Sequence, residues 1–332
     1  MIWVIVAFAA FVVSCALTEA IRRYCLAKGI VDVPNQRSSH NRIVARGGGI
    51  GFSVVFLATL LVFGALGAAP WPVVIGFFGG GCVIAGTGWV DDQRGLTQVT
   101  RIVMHLLAAV WAVAWIGPVP ALFSGSEVWK LLSQCVGVLA IAWMVNLYNF
   151  MDGTDGIAGV EAVSATALSG GLCAIAGVAA IGQVYGVLGG AVAGFLVWNW
   201  PPARIFMGDA GSGFLGFIFA AFALWCAVVN LRLLWPCVIL LSVFIADATT
   251  TLLRRMASGE KWYEPHRSHA YQKIARRTGH LPVAAGVAAI NVLILAPLAY
   301  LAWLYPSLGF ALTVFVHLGL AALVLATRER TV

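Results

Sequence analysis

The chain has 332 residues, of which 61% are hydrophobic and only 10% are charged. Soluble domains carry about 25% charged residues, so this composition excludes an ordinary water-soluble fold. The formal net charge of +7 suits a surface that faces anionic lipid or an anionic substrate, and nothing in its distribution suggests nucleic acid as a partner.

Apolar runs long enough to cross a bilayer as helices follow one another along the chain. Lipid offers the backbone no hydrogen-bond partners, and the runs are too unbroken for barrel strands, so the sequence predicts an all-α, polytopic transmembrane helical bundle. The first run has no basic segment before it and no cleavage pattern after it, so we expect a retained span. Without a repeat or a linker, residues 1–332 are expected to form one membrane domain. The eleven predicted spans are 2–21, 47–67, 72–90, 102–117, 131–149, 158–180, 184–200, 211–229, 235–252, 282–303 and 306–326.

The basic residues are distributed very unequally between the two sides of these spans. With the N-terminus outside, eighteen of the twenty Lys and Arg residues lie inside, and only Lys130 and Arg232 lie outside. The positive-inside rule therefore predicts an outer N-terminus and a cytoplasmic C-terminus. The seven cysteines show no CxxC pair or metal-type spacing, so they are interpreted as small core residues.

The first polar patch follows the first span. It reads PNQRSSH from Pro34 to His40, includes Arg37, and continues to Arg46 before a run of glycines. These residues place basic groups at the membrane surface, and the glycines permit close helix packing.

Two adjacent carboxylates, Asp91 and Asp92, come at the end of the third span. Acids at a helix C-terminus are unfavourable beside the helix dipole, which indicates a bound cation. One carboxylate can then bind Mg²⁺ while the other polarises or deprotonates a substrate group.

The fifth span ends in NLYNFMDGTDG. Asn146, Asn149 and Asp152 recur every three residues and share one helix face, and Asp155 follows in a second Asp-Gly step. The spacing is not that of a calcium loop. A plain Asp-Gly turn accounts for one such step, but poorly for two carboxylates and two amides together.

The next motif, RIFMGDAGSG, precedes the eighth span. Glycines at a helix start, Gly208 among them, expose N–H groups that can hold phosphate, and Asp209 can hold the metal that bridges it. Helix capping by Asp209 or Ser212 is the alternative.

The last motif lies in the inner segment 253–281 and reads PHRSHAYQ. His266 and His269 flank Arg267, a donor cluster suited to diphosphate oxygens. Zinc ligation by the two histidines is the weaker alternative, because no cysteine or third histidine lies near in sequence. All four motifs fall on the same inner side, so we expect them to form one site.

Together the motifs DDxx, NxxNxxDGxDG, FMGDxGS and the late histidine-rich loop resemble the polyprenyl-phosphate N-acetylhexosamine-1-phosphate transferases, over nearly the whole chain. The resemblance implies that a UDP-linked N-acetylated sugar gives its sugar-1-phosphate to undecaprenyl phosphate, with release of UMP, on the cytoplasmic side of the bacterial inner membrane. It also implies Mg²⁺, with Mn²⁺ as a substitute, and a homodimer.

The resemblance assigns roles position by position. Asp209 and Asp92 would lie at the metal and Asp91 at the acceptor phosphate, while Asp152, Asp155 and Asn149 would surround the nucleotide and metal. Phe206 would stack on uracil, and the HRSH segment would hold the diphosphate. The substrate-binding candidates are Asn146, Asn149, Phe206, Gly208, His266, Arg267, His269, Arg37, His40 and Arg46.

Two departures bear on the substrate. The peptidoglycan-precursor (phospho-MurNAc-pentapeptide) enzymes of the family carry a triple histidine and a lysine where this chain has HRSH and Gly95. The sequence is closer to the branch that starts O-antigen or other surface-glycan synthesis, with UDP-linked N-acetylfucosamine, N-acetylquinovosamine or N-acetylglucosamine as donor. A secondary transporter of an anionic substrate is the alternative from another class, but its binding groups should lie near the bilayer midplane.

Overall fold

The computed structural model describes residues 2–34, 42–118, 126–261 and 267–327. Helices make up most of the described chain, and three very short strands join them. In chain order the elements are α1 (Ile2–Lys28), β1 (Val31–Asp32), β2 (Val44–Arg46), α2 (Gly49–Ala65), α3 (Trp71–Arg94), α4 (Gln98–Ile116), α5 (Glu127–Met151), α6 (Ile157–Ile175), α7 (Ala179–Asn199), β3 (Ile205–Phe206), α8 (Asp209–Val229), α9 (Leu234–Leu240), α10 (Ser242–Ala257), α11 (Ala270–Thr278), α12 (His280–Ile290), α13 (Ala296–Leu304) and α14 (Gly309–Ala326).

Within the described ranges, nine helical segments are long and apolar enough to cross a bilayer, or ten if α9 and α10, bent by 68° at their junction, form one span. A π-helical turn, Asn291–Leu295, joins α12 and α13 into one of them. Helix α2 has 17 residues, about 25 Å, which is short for a bilayer core. Each predicted span coincides with a helix, so the polytopic helical class is confirmed; the count of eleven and the orientation stay predictions.

Helix α8 lies at the centre of the bundle. Most of its side chains are buried, and α2, α3, α4 and α5 pack around it. Glycines allow these approaches: a Cβ at Gly80 would collide with the ring of Phe217, and one at Gly216 with the backbone of Met144. In a bilayer the lipid is as apolar as the helices, so the hydrophobic effect does not bring helices together. Close packing at small residues stabilises their association instead. The middle of α8 is therefore packed directly against α3 and α5.

A small three-stranded sheet was not predicted. Strand β2 pairs antiparallel with β1 and parallel with β3, so that Arg46 lies opposite Phe206. Strands of two or three residues are too short to show a period in the sequence. The sheet joins the segment after α1 to the segment before α8, and this brings Arg46 to the first residue of α8.

Helix α3 continues beyond its predicted end. It runs to Arg94 and terminates at Gly95, which has a φ of +69°. Asp91 and Asp92 therefore lie in its last helical turn, where their side chains point in different directions.

Candidate active site

Three carboxylates meet where the end of α3 approaches the start of α8. Asp91 and Asp92 come from α3, and Asp209 is the first residue of α8. The approach is very close, because a Cβ at Gly88 of α3 would collide with the backbone of Asp209 and Ala210. Residues separated by more than 110 positions in sequence are thereby placed side by side.

Asp92 is wholly buried and binds the N-terminus of α8. The backbone N–H groups of Asp209 and Ala210 donate to its Oδ1 and Oδ2 at 2.9 and 3.2 Å, and none of its side chain is exposed. A carboxylate at a helix N-terminus is stabilised both by these donors and by the helix dipole. Asp92 therefore fixes Asp209 and has its own oxygens engaged.

Gly208 makes this arrangement possible. Its φ of +73° is one that side chains rarely adopt, and a Cβ there would collide with the Asp92 carboxylate. The glycine before Asp209 is thus needed for the cap, and no phosphate is required to explain it.

Two arginines neutralise the carboxylates. Arg46 donates from Nε to Asp92 at 2.7 Å and from Nη2 to Asp209 at 2.8 Å, while Arg101 on α4 lies 3.2 Å from Asp91 Oδ2 and 3.8 Å from Asp209 Oδ2. Burial alone would lower the pKa of Arg46, but the charges of Asp92 and Asp209 outweigh burial and raise it. Arg46 stays charged, so three carboxylates face two cations.

The asparagine motif is divided between two environments. Asn146 and Asn149 border a cavity of about 320 Å³ that also contains Asp91 and Asp209; we call it the carboxylate pocket. Asp152 caps the end of α5, and burial together with the charges of Asp209, Asp92 and Asp155 raises its pKa well above the usual range. Asp152 itself does not border the carboxylate pocket.

Asp155 is directed elsewhere. Its Oδ2 accepts the N–H of Ala203 at 3.0 Å and lies 3.2 Å from Nδ1 of His280. Asn199 supports the same region by accepting from the N–H of Gly156 and donating to the carbonyl of Ile205. These contacts hold the Asp-Gly loop against the segment that leads into Asp209, and Asp155 does not border the carboxylate pocket.

The histidine motif is only partly described. His269 is buried, with Nδ1 3.3 Å from Asp247 Oδ1, and the same carboxylate accepts the N–H groups of Ala270 and Tyr271 at 3.0 and 2.9 Å. Asp247 of α10 thus anchors the start of α11, and His269 belongs to that anchor. Arg267 accepts a hydrogen bond at its carbonyl from Arg276. Three predicted site residues, His266, Arg37 and His40, lie outside the described residues.

Phe206 lies on β3, paired with Arg46, and is half-buried. It does not border the carboxylate pocket. Its predicted contact with uracil therefore stays a prediction.

An apolar groove adjoins the carboxylate pocket. It has a volume of about 490 Å³, is lined almost entirely by apolar side chains of α5, α8, α9 and α10, and shares Trp143 with the pocket. The Trp143 indole donates to Thr249 at 3.2 Å, which fixes the ring at the junction. A polar, charged pocket thus meets a lipid-like surface at one residue.

Sequence reasoning missed several residues of this region. Arg101 and His105 on α4 border the pocket, and Asn199 and His280 hold the Asp-Gly loop. Each is a single polar residue within or beside an apolar run, and that isolation inside a predicted span was the available signal.

The profile of glycosyl transferase family 4 matches residues 74–227. The decaprenyl-phosphate N-acetylglucosaminephosphotransferase of Mycobacterium leprae is 30% identical over 311 residues, covering 80% of this chain and 76% of that protein. The chain belongs to the polyprenyl-phosphate N-acetylhexosamine-1-phosphate transferases. This confirms the family predicted from the motifs.

Other members agree with the assignment. The probable undecaprenyl-phosphate N-acetylglucosaminyl 1-phosphate transferase of Bacillus subtilis is 29% identical over 291 residues, covering 82% of this chain and 78% of that protein. A phospho-N-acetylmuramoyl-pentapeptide-transferase of Synechococcus is 31% identical, but over only half of each chain. As a transferase of this family, the chain is a multi-pass membrane enzyme, and the transporter alternative is excluded.

The donor set of the transferase fits a magnesium ion. Asp91 and Asp209 present carboxylate oxygens to the pocket, which are the ligands that Mg²⁺ prefers. Among the described residues, no three Asp, Glu, His or Cys side chains form a ready-made metal cage. Mg²⁺ usually keeps several waters and binds through one or two protein carboxylates plus substrate phosphates, so two carboxylates suffice.

Proposed function

We propose that this transferase moves an N-acetylated hexosamine-1-phosphate from a UDP-sugar to undecaprenyl phosphate, giving a lipid-linked sugar diphosphate and UMP. The observation that carries the proposal is that Asp91 and Asp209 border one charged pocket, which shares Trp143 with an apolar groove. The printed names of the relatives, which are polyprenyl-phosphate N-acetylglucosamine-phosphate transferases, support the same reaction.

The two substrates suit the two parts of the site. A nucleotide diphosphate is anionic and enters from water, where Arg46 and Arg101 can exchange a carboxylate for a phosphate partner. The polyprenyl chain requires a lipid-like path, and the apolar groove provides one that ends at Trp143 beside the pocket. The acceptor phosphate is thereby delivered to the carboxylate pocket.

The chemistry needs little proton transfer. An oxygen of the lipid phosphate forms a bond to the sugar-bearing phosphorus, and the bond from that phosphorus to UMP breaks. A phosphate monoester has a second pKa of about 6, so at neutral pH it attacks as a dianion and UMP leaves as a dianion. Charge therefore balances without a general base.

The protein's part is therefore to position and neutralise charge. When bound, Mg²⁺ would neutralise the diphosphate oxygens as charge develops on the leaving phosphate. We assign its protein contacts to Asp209 and Asp91, and we assign Asp92 the task of fixing Asp209 through the start of α8. Mn²⁺ is expected to substitute.

The cellular setting is part of the proposal. Most basic residues are predicted to lie on one side of the membrane. This supports a pocket on the cytoplasmic face of the bacterial inner membrane. The HRSH motif and the glycine at position 95 favour a role in starting O-antigen or other surface-glycan synthesis over peptidoglycan. We also propose a homodimer, on the family resemblance alone.

The test is an assay of purified protein in detergent with undecaprenyl phosphate, Mg²⁺ and a donor panel of UDP-linked N-acetylglucosamine, N-acetylfucosamine, N-acetylquinovosamine and MurNAc-pentapeptide. We expect UMP release with at least one of the first three donors, only when the lipid is present. Activity with the MurNAc-pentapeptide donor alone would overturn the surface-glycan assignment. No UMP release with any donor would overturn the reaction.

A further inference from the structure

The carboxylate pocket contains a histidine that no motif assigns. His105 lies on α4, four residues after Arg101, which puts it about 6 Å further along the helix and deeper among the helices. Its side chain is buried, yet its ring borders the pocket that holds Asp91 and Asp209. It is the histidine nearest in sequence to the carboxylate pair.

The neighbouring amide fixes which ring nitrogen carries the proton. Asn146 Nδ2 lies 2.9 Å from the carbonyl oxygen of Ala142, an acceptor only, so the amide nitrogen must face that side. The same Nδ2 lies 3.1 Å from Nδ1 of His105. Since the amide nitrogen only donates, Nδ1 must accept, and the proton of a neutral ring is on Nε2.

Nε2 is the remaining polar atom of the ring. In the part of the chain that the structure describes, it has no hydrogen-bond partner, although the ring borders an open cavity. A fixed, uncharged N–H donor that borders a cavity with an arginine nearby is suited to an anionic oxygen.

The position of His105 in the pocket indicates which substrate supplies that oxygen. Asn146 lies one helical turn from Trp143 on α5, and Trp143 is the residue shared by the pocket and the apolar groove. Asn146, with His105 bonded to it, thus lies on the side of the pocket that is next to the groove. The carboxylates and Arg101 lie nearer the water-facing end of α4.

We propose that His105 binds the phosphate of the polyprenyl acceptor through Nε2, and that Asn146 is the positioning residue that sets its tautomer. This inference rests on the proposed function, because it assigns one substrate of that reaction to a part of the pocket. A neutral donor binds a dianionic phosphate without removing the negative charge that makes it nucleophilic.

Two isosteric variants test the proposal. In His105→Gln the side-chain amide can place an N–H near the position of Nε2, whereas in His105→Asn it reaches only the position of Nδ1. We expect His105→Asn to raise the KM for undecaprenyl phosphate about 10- to 100-fold, the effect of losing one hydrogen bond to a charged group. The KM for the UDP-sugar should stay within about twofold, and His105→Gln should retain most of the affinity.

Binding is measured without turnover as well, by native mass spectrometry with undecaprenyl phosphate and with undecaprenol as the uncharged control. The expected result is that His105→Asn weakens binding of the phosphate but not of the alcohol. Because this measurement needs no donor, it remains informative if the proposed reaction fails. Equal behaviour of the Gln and Asn variants, or a change in the KM of the UDP-sugar alone, would overturn the assignment.

The positioning role of Asn146 has its own readout. In ¹⁵N-histidine NMR spectra, the signals absent from His105→Gln identify His105 among the six histidines. Wild type should show only the tautomer protonated at Nε2, and Asn146→Ala should show a mixture. A ring protonated at Nδ1 in the wild type would refute the assignment.

Discussion

The three carboxylates at the junction of α3 and α8 differ in what their oxygens contact. Both oxygens of Asp92 are taken by the start of α8, and none of the side chain is exposed. Asp209 contacts arginine side chains that can be exchanged for a ligand. In Asp91, Oδ2 faces Arg101 in the same way, while Oδ1 accepts the backbone N–H of Leu96. Adjacent residues in one motif thus have different tasks.

This difference predicts unequal effects of the same substitution. Asp209→Asn removes a charge at the proposed metal site and is expected to abolish UMP release. In Asp92→Asn, an amide NH₂ replaces one acceptor and faces a backbone N–H of α8, so Asp209 shifts. We expect kcat to fall about 10- to 100-fold, as for residues that orient a metal ligand, measured by UMP release.

Asp155→Asn is the matched control, because Asp155 contacts Ala203 and His280 outside the pocket. All three proteins should elute as wild type in size-exclusion chromatography. If Asp92→Asn were as inactive as Asp209→Asn while still binding metal, Asp92 would have to contact substrate directly.

The sequence predicted the motif residues but not their contacts. Carboxylates followed by glycine are visible as motifs, whereas His105, Asp247 and Asn199 are single polar residues whose partners lie far along the chain. Glu161 is similar: it is fully buried and accepts a hydrogen bond from Asn291 at 2.7 Å, 130 residues away. Glu19, by contrast, pairs locally with Arg22 and Arg23.

At the scale of elements, the packing of α3 on α8 determines the site. Gly88→Ala would place a Cβ into the backbone of Asp209 and Ala210, whereas Gly86→Ala, on the same helix, meets open space. We expect Gly88→Ala to lose UMP release and to lower the thermal unfolding midpoint. Gly86→Ala should match wild type in both.

The two variants carry the same substitution in one helix, so they separate packing from helix propensity. Full activity of Gly88→Ala would show that the distance between α3 and α8 does not set the geometry of the carboxylates.

Most helices were predictable because they are long apolar runs, and all eleven runs coincide with helices; the short, polar helix α11 was not predicted. The small sheet and the bend between α9 and α10 were not predicted either. Strands of two or three residues have no detectable period, and the bend falls between Leu240 and Ser242, without a Pro or Gly at the break.

At the scale of the whole molecule, the orientation rests on the distribution of charge. Single cysteines at Lys130 and Lys261, both exposed, would lie on opposite sides of the membrane in a cysteine-free protein. A membrane-impermeant thiol reagent should label Lys130→Cys in intact cells, and Lys261→Cys only after lysis. The reverse pattern would place the carboxylate pocket on the wrong side for a cytoplasmic UDP-sugar.

The family was recognisable from motifs that stand far apart in sequence, because the reaction requires their side chains in one place. The sugar was not, because the motifs do not distinguish among the UDP-linked N-acetylated sugars. The carboxylates indicate the type of reaction, but they do not indicate which sugar is transferred.

The most direct test is binding of Mn²⁺, followed by electron paramagnetic resonance, in the presence of UDP. We expect wild type and Asp155→Asn to bind the ion, Asp92→Asn to bind it more weakly, and Asp209→Asn not to bind it. Undiminished binding by Asp209→Asn, or loss of binding in Asp155→Asn alone, would contradict a metal and diphosphate site between α3 and α8.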